Sequence, residues 1–184
     1  MKIETLSYRE EGEGIYYVED NIVKFGPEQI NYLKERVKLC SKKRNRICSH
    51  LTPDDQLHEM LICVMSGSYI APAKHVNKAE SLHVVEGRAD IVFFDQHGTV
   101  EEVTELTEPN LSGKFYYRMN TEVYHMLIVR SEFFVFHEVT KGPFDRSSTV
   151  QPNWAPEENS QQEVSDFLDE IEKVIDKLKK QDNL

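Results

Sequence analysis

The sequence predicts an all-β protein built as a sandwich or barrel, with one α-helix before the strands and one after them. Between about residues 58 and 139, short apolar or aromatic runs recur at nearly regular spacing with turn residues between them. This texture is typical of sandwiches and barrels. Outside this region, apolar residues recur at the helical spacings of three and four, which indicates the two helices.

The predicted β region contains runs that are each short enough for a single strand. They are residues 60–65, 68–72, 79–86, 89–94, 100–106, 114–119, 123–129 and 133–139. Asp95 to Gly98 is a turn between two of them. Two further short strands are predicted within residues 15–25, on either side of a polar turn at residues 19–21.

The two predicted helices differ in their apolar faces. The first begins at Pro27, because proline suits the first helical position, and Leu33 and Val37 recur on one face. The second repeats apolar residues in steps of four and three, as a heptad seam does. The seam consists of Val164, Leu168, Ile171, Ile175 and Leu178. Because the seam is short, we expect docking on the barrel, or a dimer made jointly with the barrel, over a free coiled coil.

These elements divide the chain into three parts. Residues 1–57 hold the N-terminal hairpin, the helix and a basic segment, which we expect to pack on the barrel. Residues 58–158 form the barrel, and residues 159–184 form the C-terminal amphipathic helix. A chain of 184 residues is long enough to bury a core without disulfides or a structural metal.

The composition indicates which classes of partner and which cellular compartment to expect. The 32 acidic residues against 22 basic ones give a net charge of −10, which argues against a nucleic-acid partner but not against a small anion held by local arginines. No run approaches the roughly 20 apolar residues of a membrane helix, and the first residues lack the apolar run of a secretory signal. Three cysteines without a C-x-x-C pair fit reduced thiols. We therefore expect a cytoplasmic protein with no membrane partner.

The residues that carry chemistry gather between Gly67 and Gly87. With these glycines, His75 and Glu80 follow the spacing G-x7-H-x4-E-x6-G. A histidine and a glutamate on either side of a turn can converge inside a small barrel, because alternate residues of a strand point to one side. Two imidazoles and one carboxylate are a ligand set for Fe, Mn, Ni or Zn. His125, on a later predicted strand, is the candidate for the second imidazole.

This spacing resembles the first motif of the cupins, and the resemblance implies a cupin double-stranded β-helix, also called a jelly-roll barrel. The cupin pattern has its first histidine where this chain has Ala73. At most three metal ligands then remain, which are His75, Glu80 and His125. The second cupin motif, around His125, is degraded. Three ligands suit a catalytic metal with open positions, but the loss of the fourth also fits an abandoned metal site.

A narrower resemblance covers roughly residues 40–158. Its ordered matches are Arg44-x-Arg46 with His50, Gly67-Ser68-Tyr69 with Pro72, Lys78-x-Glu80, Phe94-Asp95 with Gly98, Glu138 with Gly142-Pro143-Phe144, and Trp154-Ala155-Pro156-Glu157. The set resembles the WbuC-type cupin-fold metalloproteins, with an RmlC-like jelly roll, found among bacterial surface-polysaccharide genes. The resemblance implies a role in polysaccharide biosynthesis and a sugar, nucleotide-sugar or small anionic ligand.

The basic segment supplies candidate ligand-binding residues. Arg44 and Arg46 share one face of an extended segment, and His50 continues the series. With the resemblance, we expect these three at the barrel mouth, where arginine forks bind phosphate or carboxylate. A solvated basic loop is the alternative. Tyr69 and Lys78 are the other two candidate ligand-binding residues.

Two kinds of function fit these residues. The first is an isomerase, epimerase or lyase acting on a sugar, with a divalent metal and with Glu80, His125 and Tyr124 as catalytic residues. Without a metal, a histidine base and Tyr124 as the acid would act by analogy with the sugar-nucleotide epimerases among the cupins. The second is a non-catalytic sugar-binding or regulatory module with an abandoned metal site. A homodimer is expected in either case.

Overall fold

The strands of the chain lie mainly in two facing sheets, in a computed structural model that describes residues 6–182. The side chains are described as far as residue 180. In chain order the elements are β1 (Tyr8–Glu10), β2 (Ile15–Val18), α1 (Pro27–Val37), β3 (Arg44–Cys48), β4 (Leu57–Met65), β5 (Lys74–His75), β6 (Glu80–Glu86), β7 (Arg88–Phe94), β8 (Val100–Thr107), β9 (Tyr116–Met119), β10 (Tyr124–Val129), β11 (Phe133–Lys141), β12 (Thr149–Val150) and α2 (Gln161–Asp182).

The order of the strands is that of a jelly roll. One sheet runs β1-β2-β3-β4-β11-β6-β9 and the other runs β10-β7-β8. A backbone bridge between Ala73 and His125 brings β5 beside β10, so the second sheet reads β5-β10-β7-β8. Strands β4-β11-β6-β9 and β5-β10-β7-β8 then form the two walls of one barrel, and from β4 to β11 the chain changes wall after each strand except β7, which pairs with β8 in the same wall. The predicted double-stranded β-helix with a helix at each end is confirmed.

Successive side chains of the first sheet point alternately into the barrel and toward α1, so the core has two layers. One face of β11 places Phe134 and Phe136 inside the barrel, together with Val64, Leu82 and Ile91. Residues of the opposite face pack under α1, whose Leu33 and Val37 are fully buried. Helix α1 begins at Pro27, as predicted. The N-terminal strands therefore extend the first sheet and give α1 a surface to cover.

Helix α2 docks on the outside of the second sheet, which is the first of the two arrangements expected from its seam. Ile171 and Ile175 are buried there, among side chains that include Val92, Phe94 and Met126. In the part of the chain that the structure describes, no helix has the length and apolarity needed to cross a membrane.

A buried charge network fastens α2 to the barrel. The carboxylate of Asp90, on β7, is fully buried. It accepts hydrogen bonds from Arg130 Nε at 2.8 Å and from Lys179 Nζ at 2.9 Å. Arg130 also makes two hydrogen bonds, of 2.5 and 2.8 Å, to Glu172 on α2. Because α2 supplies both Glu172 and Lys179, the network joins the helix to β7 and to the end of β10.

Residues 142–160, between β11 and α2, form a segment that we call the strap. Its β12 pairs with β5, and Trp154 Nε1 donates a hydrogen bond to the Gln96 carbonyl at 3.2 Å. Further along, Glu158 pairs with Lys42 at 2.6 Å and with Arg44 at 2.5 Å. The strap is thus tied to the barrel at several separate points.

Two predicted strands differ from the structure. Residues 68–72 do not form a strand, and the short β5 follows them instead; Pro72 has no N–H to give to a sheet. The N-terminal hairpin consists of β1 and β2, not of two strands within residues 15–25. Its turn contains Gly12 and Gly14 with φ values of 99° and 73°, a conformation that glycine adopts without strain.

Candidate metal centre

His75, Glu80 and His125 converge inside the barrel. His75 ends β5, Glu80 begins β6, and His125 is the second residue of β10. Nε2 of His75 lies 3.0 Å from Glu80 Oε2, and Nε2 of His125 lies 3.3 Å from Glu80 Oε1. Ligand atoms from all three residues lie within 4.8 Å of one another. The structure therefore brings together the three residues that the sequence analysis named as metal ligands.

Backbone pairing sets this convergence. Ala73 and His125 exchange two backbone hydrogen bonds, of 3.1 and 3.0 Å, which fixes β5 against β10. Ala73 and His75 are two residues apart, so their side chains point to the same side of β5. Ala73, at the position of the first cupin histidine, thus lies beside His125. Its side chain is only a methyl group. His75, Glu80 and His125 would hold a metal here, and Ala73 offers no donor atom to it.

The donor atoms of the three residues suit a divalent ion by type. Two nitrogens and one carboxylate are a ligand set for Fe, Mn, Ni or Zn. The distances from Glu80 to the two imidazoles, 3.0 and 3.3 Å, are also those of hydrogen bonds. The chemistry of the set, rather than its spacing, therefore favours the predicted metal.

The second nitrogen of each imidazole is held by a neighbour. Nδ1 of His125 lies 3.1 Å from the carbonyl oxygen of Val123, which only accepts, so Nδ1 carries the proton. In the neutral ring, Nε2 then has a lone pair and faces another acceptor on Glu80. Two acceptors at 3.3 Å require a proton or a cation between them. Nδ1 of His75 lies 3.1 Å from Thr149 Oγ1, and such outer contacts are typical of metal-ligating histidines.

Electrostatics at the centre favour an ionised Glu80. Burial raises the pKa of the Glu80 carboxyl, but the hydrogen bonds and charges of His125 and His75 outweigh burial and hold the pKa below its usual range. Burial lowers the pKa of His125, and the hydrogen bond and charge of Glu80 outweigh it and raise the pKa. Tyr117 also donates its hydroxyl to Glu80 Oε1 at 3.0 Å. The carboxylate is therefore stabilised as an anion that needs a positive partner.

Glu138 is an interior carboxylate to which the sequence analysis gave no role. It lies on β11 between Met60 and Leu82 in register, and it follows Phe134 and Phe136 on the inward face. Burial and the charge of Glu80 raise the pKa of Glu138 to about 7. Glu138 could have been identified from the sequence, because it continues the alternate positions Phe134 and Phe136 on one face of a strand. The run of aromatic and apolar residues from Phe133 to Phe136 makes that alternation difficult to recognise.

Arg46 and Lys78 are the two predicted ligand-binding residues that act on the barrel interior. Arg46 lies opposite Ile62 on the inward face, and its Nε is buried without a hydrogen-bond partner among the described residues. The positive charges of both Arg46 and Lys78 act on Glu138. Two predicted ligand-binding cations therefore act on the interior carboxylate Glu138.

Arg44 and Tyr69, by contrast, are engaged in holding the strap. The Arg44 guanidinium bonds Glu158 at 2.5 Å and the Tyr69 carbonyl oxygen at 2.9 Å. The Tyr69 hydroxyl donates to the Pro156 carbonyl at 3.0 Å. These bonds use the polar groups that the sequence analysis assigned to a ligand, so the placement of both residues supports a structural role instead.

His50 and Tyr124 also lie apart from the three candidate ligands. The His50 ring stacks on His58 at 4.0 Å and is buried against the backbone of Glu59. Tyr124 precedes His125, so strand alternation turns it to the outer face of the second sheet. There it packs on Trp154, with ring centroids 5.7 Å apart. Tyr124 is therefore not placed to act as the acid partner of His125, and the tyrosine that reaches the centre is Tyr117.

The chain is similar to known proteins at low sequence identity. Residues 26–106 match the model of a family described as a domain of unknown function (DUF6016). No curated protein matches the sequence. A cupin 2 conserved barrel domain protein from Rhodopseudomonas palustris is 14% identical, with 60% of this chain and 68% of that one covered and a TM-score of 0.47.

Two other solved structures show the same level of similarity. A protein from Shewanella oneidensis is 8% identical, with 56% of this chain and 66% of that one covered and a TM-score of 0.45. Oxalate decarboxylase from Bacillus subtilis is 18% identical, with 59% of this chain but only 27% of that one covered and a TM-score of 0.44. The chain thus spans a small part of the decarboxylase. On its own strand order, the chain has a cupin fold, and it carries a candidate metal site of two histidines and one glutamate.

Proposed function

We propose that the chain is a metal-dependent cupin enzyme that acts on a sugar, a nucleotide-sugar or a related small anion. One observation carries the proposal: ligand atoms of His75, Glu80 and His125 lie within 4.8 Å of one another. Nδ1 of His125 faces the Val123 carbonyl oxygen and Nε2 faces the Glu80 carboxylate, whose charge a divalent cation or a proton on Nε2 would balance. His75, Glu80 and His125 would hold this ion, which supplies polarisation of a ligand oxygen when bound.

The chain's own residues prepare the site for such a ligand. Tyr117 and Thr149 fix the orientation of Glu80 and His75, respectively. Ala73 leaves one side of the centre without a protein ligand, as a catalytic site needs. Arg46 and Lys78 place positive charge where the anionic part of a substrate would lie. The sugar setting rests on the resemblance to the WbuC-type proteins, and isomerase, epimerase or lyase chemistry is the class that suits it.

The non-catalytic alternative rests on Ala73 itself. A barrel that has lost one of four cupin ligands could have lost the ion and kept only the binding cavity. In that case Glu80 would be paired with a protonated His125, and substitution of His75 would change stability without changing metal content. The two functions therefore differ in a property that can be measured directly.

The test is metal analysis by inductively coupled plasma mass spectrometry, on untagged protein purified without chelator. We expect near-stoichiometric Fe, Mn, Ni or Zn in the wild type and none in His75→Ala or Glu80→Ala. The matched control is His83→Ala, because His83 lies on β6 but is exposed on the outer face. Wild type that stays free of metal, even after incubation with each ion, would refute the metal-dependent enzyme and leave the binding module.

A further inference from the structure

Glu138 and Arg46 are two side chains of opposite charge on the inward face of the first sheet, and the charge of Arg46 acts on Glu138. Among the described residues, no hydrogen bond or ion pair involves the Glu138 carboxylate, and Arg46 Nε is buried without a hydrogen-bond partner. Buried polar groups in native proteins nearly always have a partner. The buried Arg46 Nε and the half-buried Glu138 carboxylate therefore leave hydrogen-bonding capacity for a ligand in the interior.

The register places this pair beside the metal centre. Glu138 is opposite Leu82 on β6, two residues from Glu80, so Glu138 and Glu80 are diagonal neighbours on the inward face. Such neighbours lie about 7–8 Å apart at the backbone and within reach through long side chains. Arg46 approaches from β3, with β4 between it and β11. A ligand held by Glu138 and Arg46 would therefore also reach the three candidate metal ligands.

The chemistry of the two groups defines what they can bind. A guanidinium donates to a carboxylate or phosphate, and a carboxylate accepts from a hydroxyl. The walls around them are apolar, with Met60, Leu82 and Phe136 in the same inward rows. A small molecule with an anionic group and a hydroxyl a few bonds away satisfies both groups at once.

We propose that Arg46 and Glu138 form a recognition pair for a small hydroxycarboxylate, the class to which sugar acids belong. The carboxylate of the ligand accepts from Arg46, its hydroxyl donates to Glu138, and its remaining oxygens face His75, Glu80 and His125. This inference rests on the proposed function, because it names the substrate class of the same site. No bond is made or broken in this recognition.

The experiment compares malate with succinate, which differs only by lacking the hydroxyl, by isothermal titration calorimetry on the full chain. We expect wild type to bind malate at least about tenfold more tightly than succinate, the scale of one charge-assisted hydrogen bond. Glu138→Met, which removes the acceptor at similar length, should abolish this preference and leave succinate binding within about twofold. Arg46→Gln should weaken both ligands by about tenfold or more.

Matched controls make the same changes outside the barrel. Glu59, on the outer face of β4, is 45% exposed at its side chain, and Arg118 is exposed on β9 and bonds Asn120. Glu59→Met and Arg118→Gln should retain both affinities. Equal binding of malate and succinate by wild type, no binding of either, or a preference that persists in Glu138→Met would overturn the recognition pair.

Metal content, measured in the same samples, separates this inference from the proposed function. Arg46→Gln and Glu138→Met should hold as much metal as wild type, because neither residue belongs to the three ligands. A metal-bearing protein without the malate preference would refute the recognition pair alone. If wild type is metal-free but still prefers malate, and Glu138→Met loses this preference, the recognition pair is supported and the metal-dependent enzyme is refuted.

Discussion

Each imidazole of the candidate metal centre is oriented by a group from another residue, and for His75 that group comes from the strap. Thr149 Oγ1 lies 3.1 Å from His75 Nδ1, so the hydroxyl fixes the ring with Nε2 toward Glu80. Loss of such an outer contact typically weakens metal binding by about 10–100-fold. We expect Thr149→Val, which keeps the shape but removes the hydroxyl, to weaken Zn²⁺ binding to this extent in a competition titration with a chromophoric chelator.

The conservative variant Thr149→Ser is the control for this prediction. It keeps the hydroxyl and should bind Zn²⁺ within about threefold of wild type. Equal affinities of Thr149→Val and wild type would show that the hydroxyl does not position His75.

Glu138 gives the protein a dependence of stability on pH. Burial and the charge of Glu80 raise its pKa to about 7 in the folded state, whereas the unfolded value is about 4.3. Between these values the folded protein holds a proton that the unfolded chain has released. The stabilisation from this proton is therefore complete below the unfolded pKa and is lost as the pH rises to about 7.

Glu138→Gln should remove this decrease of stability with rising pH, because the amide of glutamine does not ionise. Relative to wild type, we expect the variant to gain about 1–3 kcal/mol in free energy of unfolding between pH 5 and pH 8. Urea denaturation at the two pH values measures the gain. Glu101→Gln, on the exposed face of β8, should show the same difference from wild type at both pH values. If the difference in free energy of unfolding between Glu138→Gln and wild type does not change with pH, the raised pKa of Glu138 is contradicted.

At the scale of elements, α2 depends on a buried charge. Asp90 has no exposed side-chain surface, and Arg130 links it to Glu172 on the helix. Loss of a hydrogen bond to a charged group typically costs about 1.5–3 kcal/mol, and Asp90 keeps its bonds to Lys179. We expect Arg130→Met to lower the free energy of unfolding by about this amount, measured by urea denaturation followed by circular dichroism.

An exposed pair within one helix provides the comparison. Lys38 and Glu35 lie 3.0 Å apart with side chains that are 44% and 70% exposed, and such pairs contribute about 0–1 kcal/mol. Lys38→Met should therefore have a small effect. Similar losses for Arg130→Met and Lys38→Met would show that the Asp90 network does not hold the helix.

At the scale of the whole molecule, an aromatic patch on the first sheet bears on the predicted homodimer. Val85, Phe115 and Tyr116 are 38%, 47% and 40% exposed near the β9 edge. The dimer stays a prediction, and we expect this patch to form it because the seam of α2 is used in docking. Sedimentation equilibrium should give twice the chain mass of 21.5 kDa.

Substitutions distinguish the two surfaces that could form the dimer. Val85→Lys with Tyr116→Lys should give a monomer, since charge opposes burial of this patch. Val174→Lys, on the exposed side of α2, should leave the dimer intact. A monomer in the wild type at all concentrations would refute the homodimer.

The parts of the architecture that sequence reasoning predicted are those with local causes. Pro27 marked the start of α1, the heptad seam marked the buried side of α2, and the spacing from His75 to Glu80 marked the centre. Tyr117 and Glu138 could not be identified as site residues from the sequence, because their aromatic neighbours conceal which face of the strand points inward. The strap was read as a loop, and its contacts with Arg44 and Tyr69 depend on pairing across the whole barrel, which no local pattern carries.

The pairing of β5 with β12 also has a consequence for the order of folding. His75 lies on a strand of two residues, and the threonine that orients it is 74 residues further along the chain. Contacts between such distant residues form slowly, because a large loop must close before they contribute. A chain still emerging from the ribosome without residue 149 would have His75, Glu80 and His125 but an unfinished centre. Tight metal uptake would therefore mark the completion of folding and would stabilise the finished barrel against reopening.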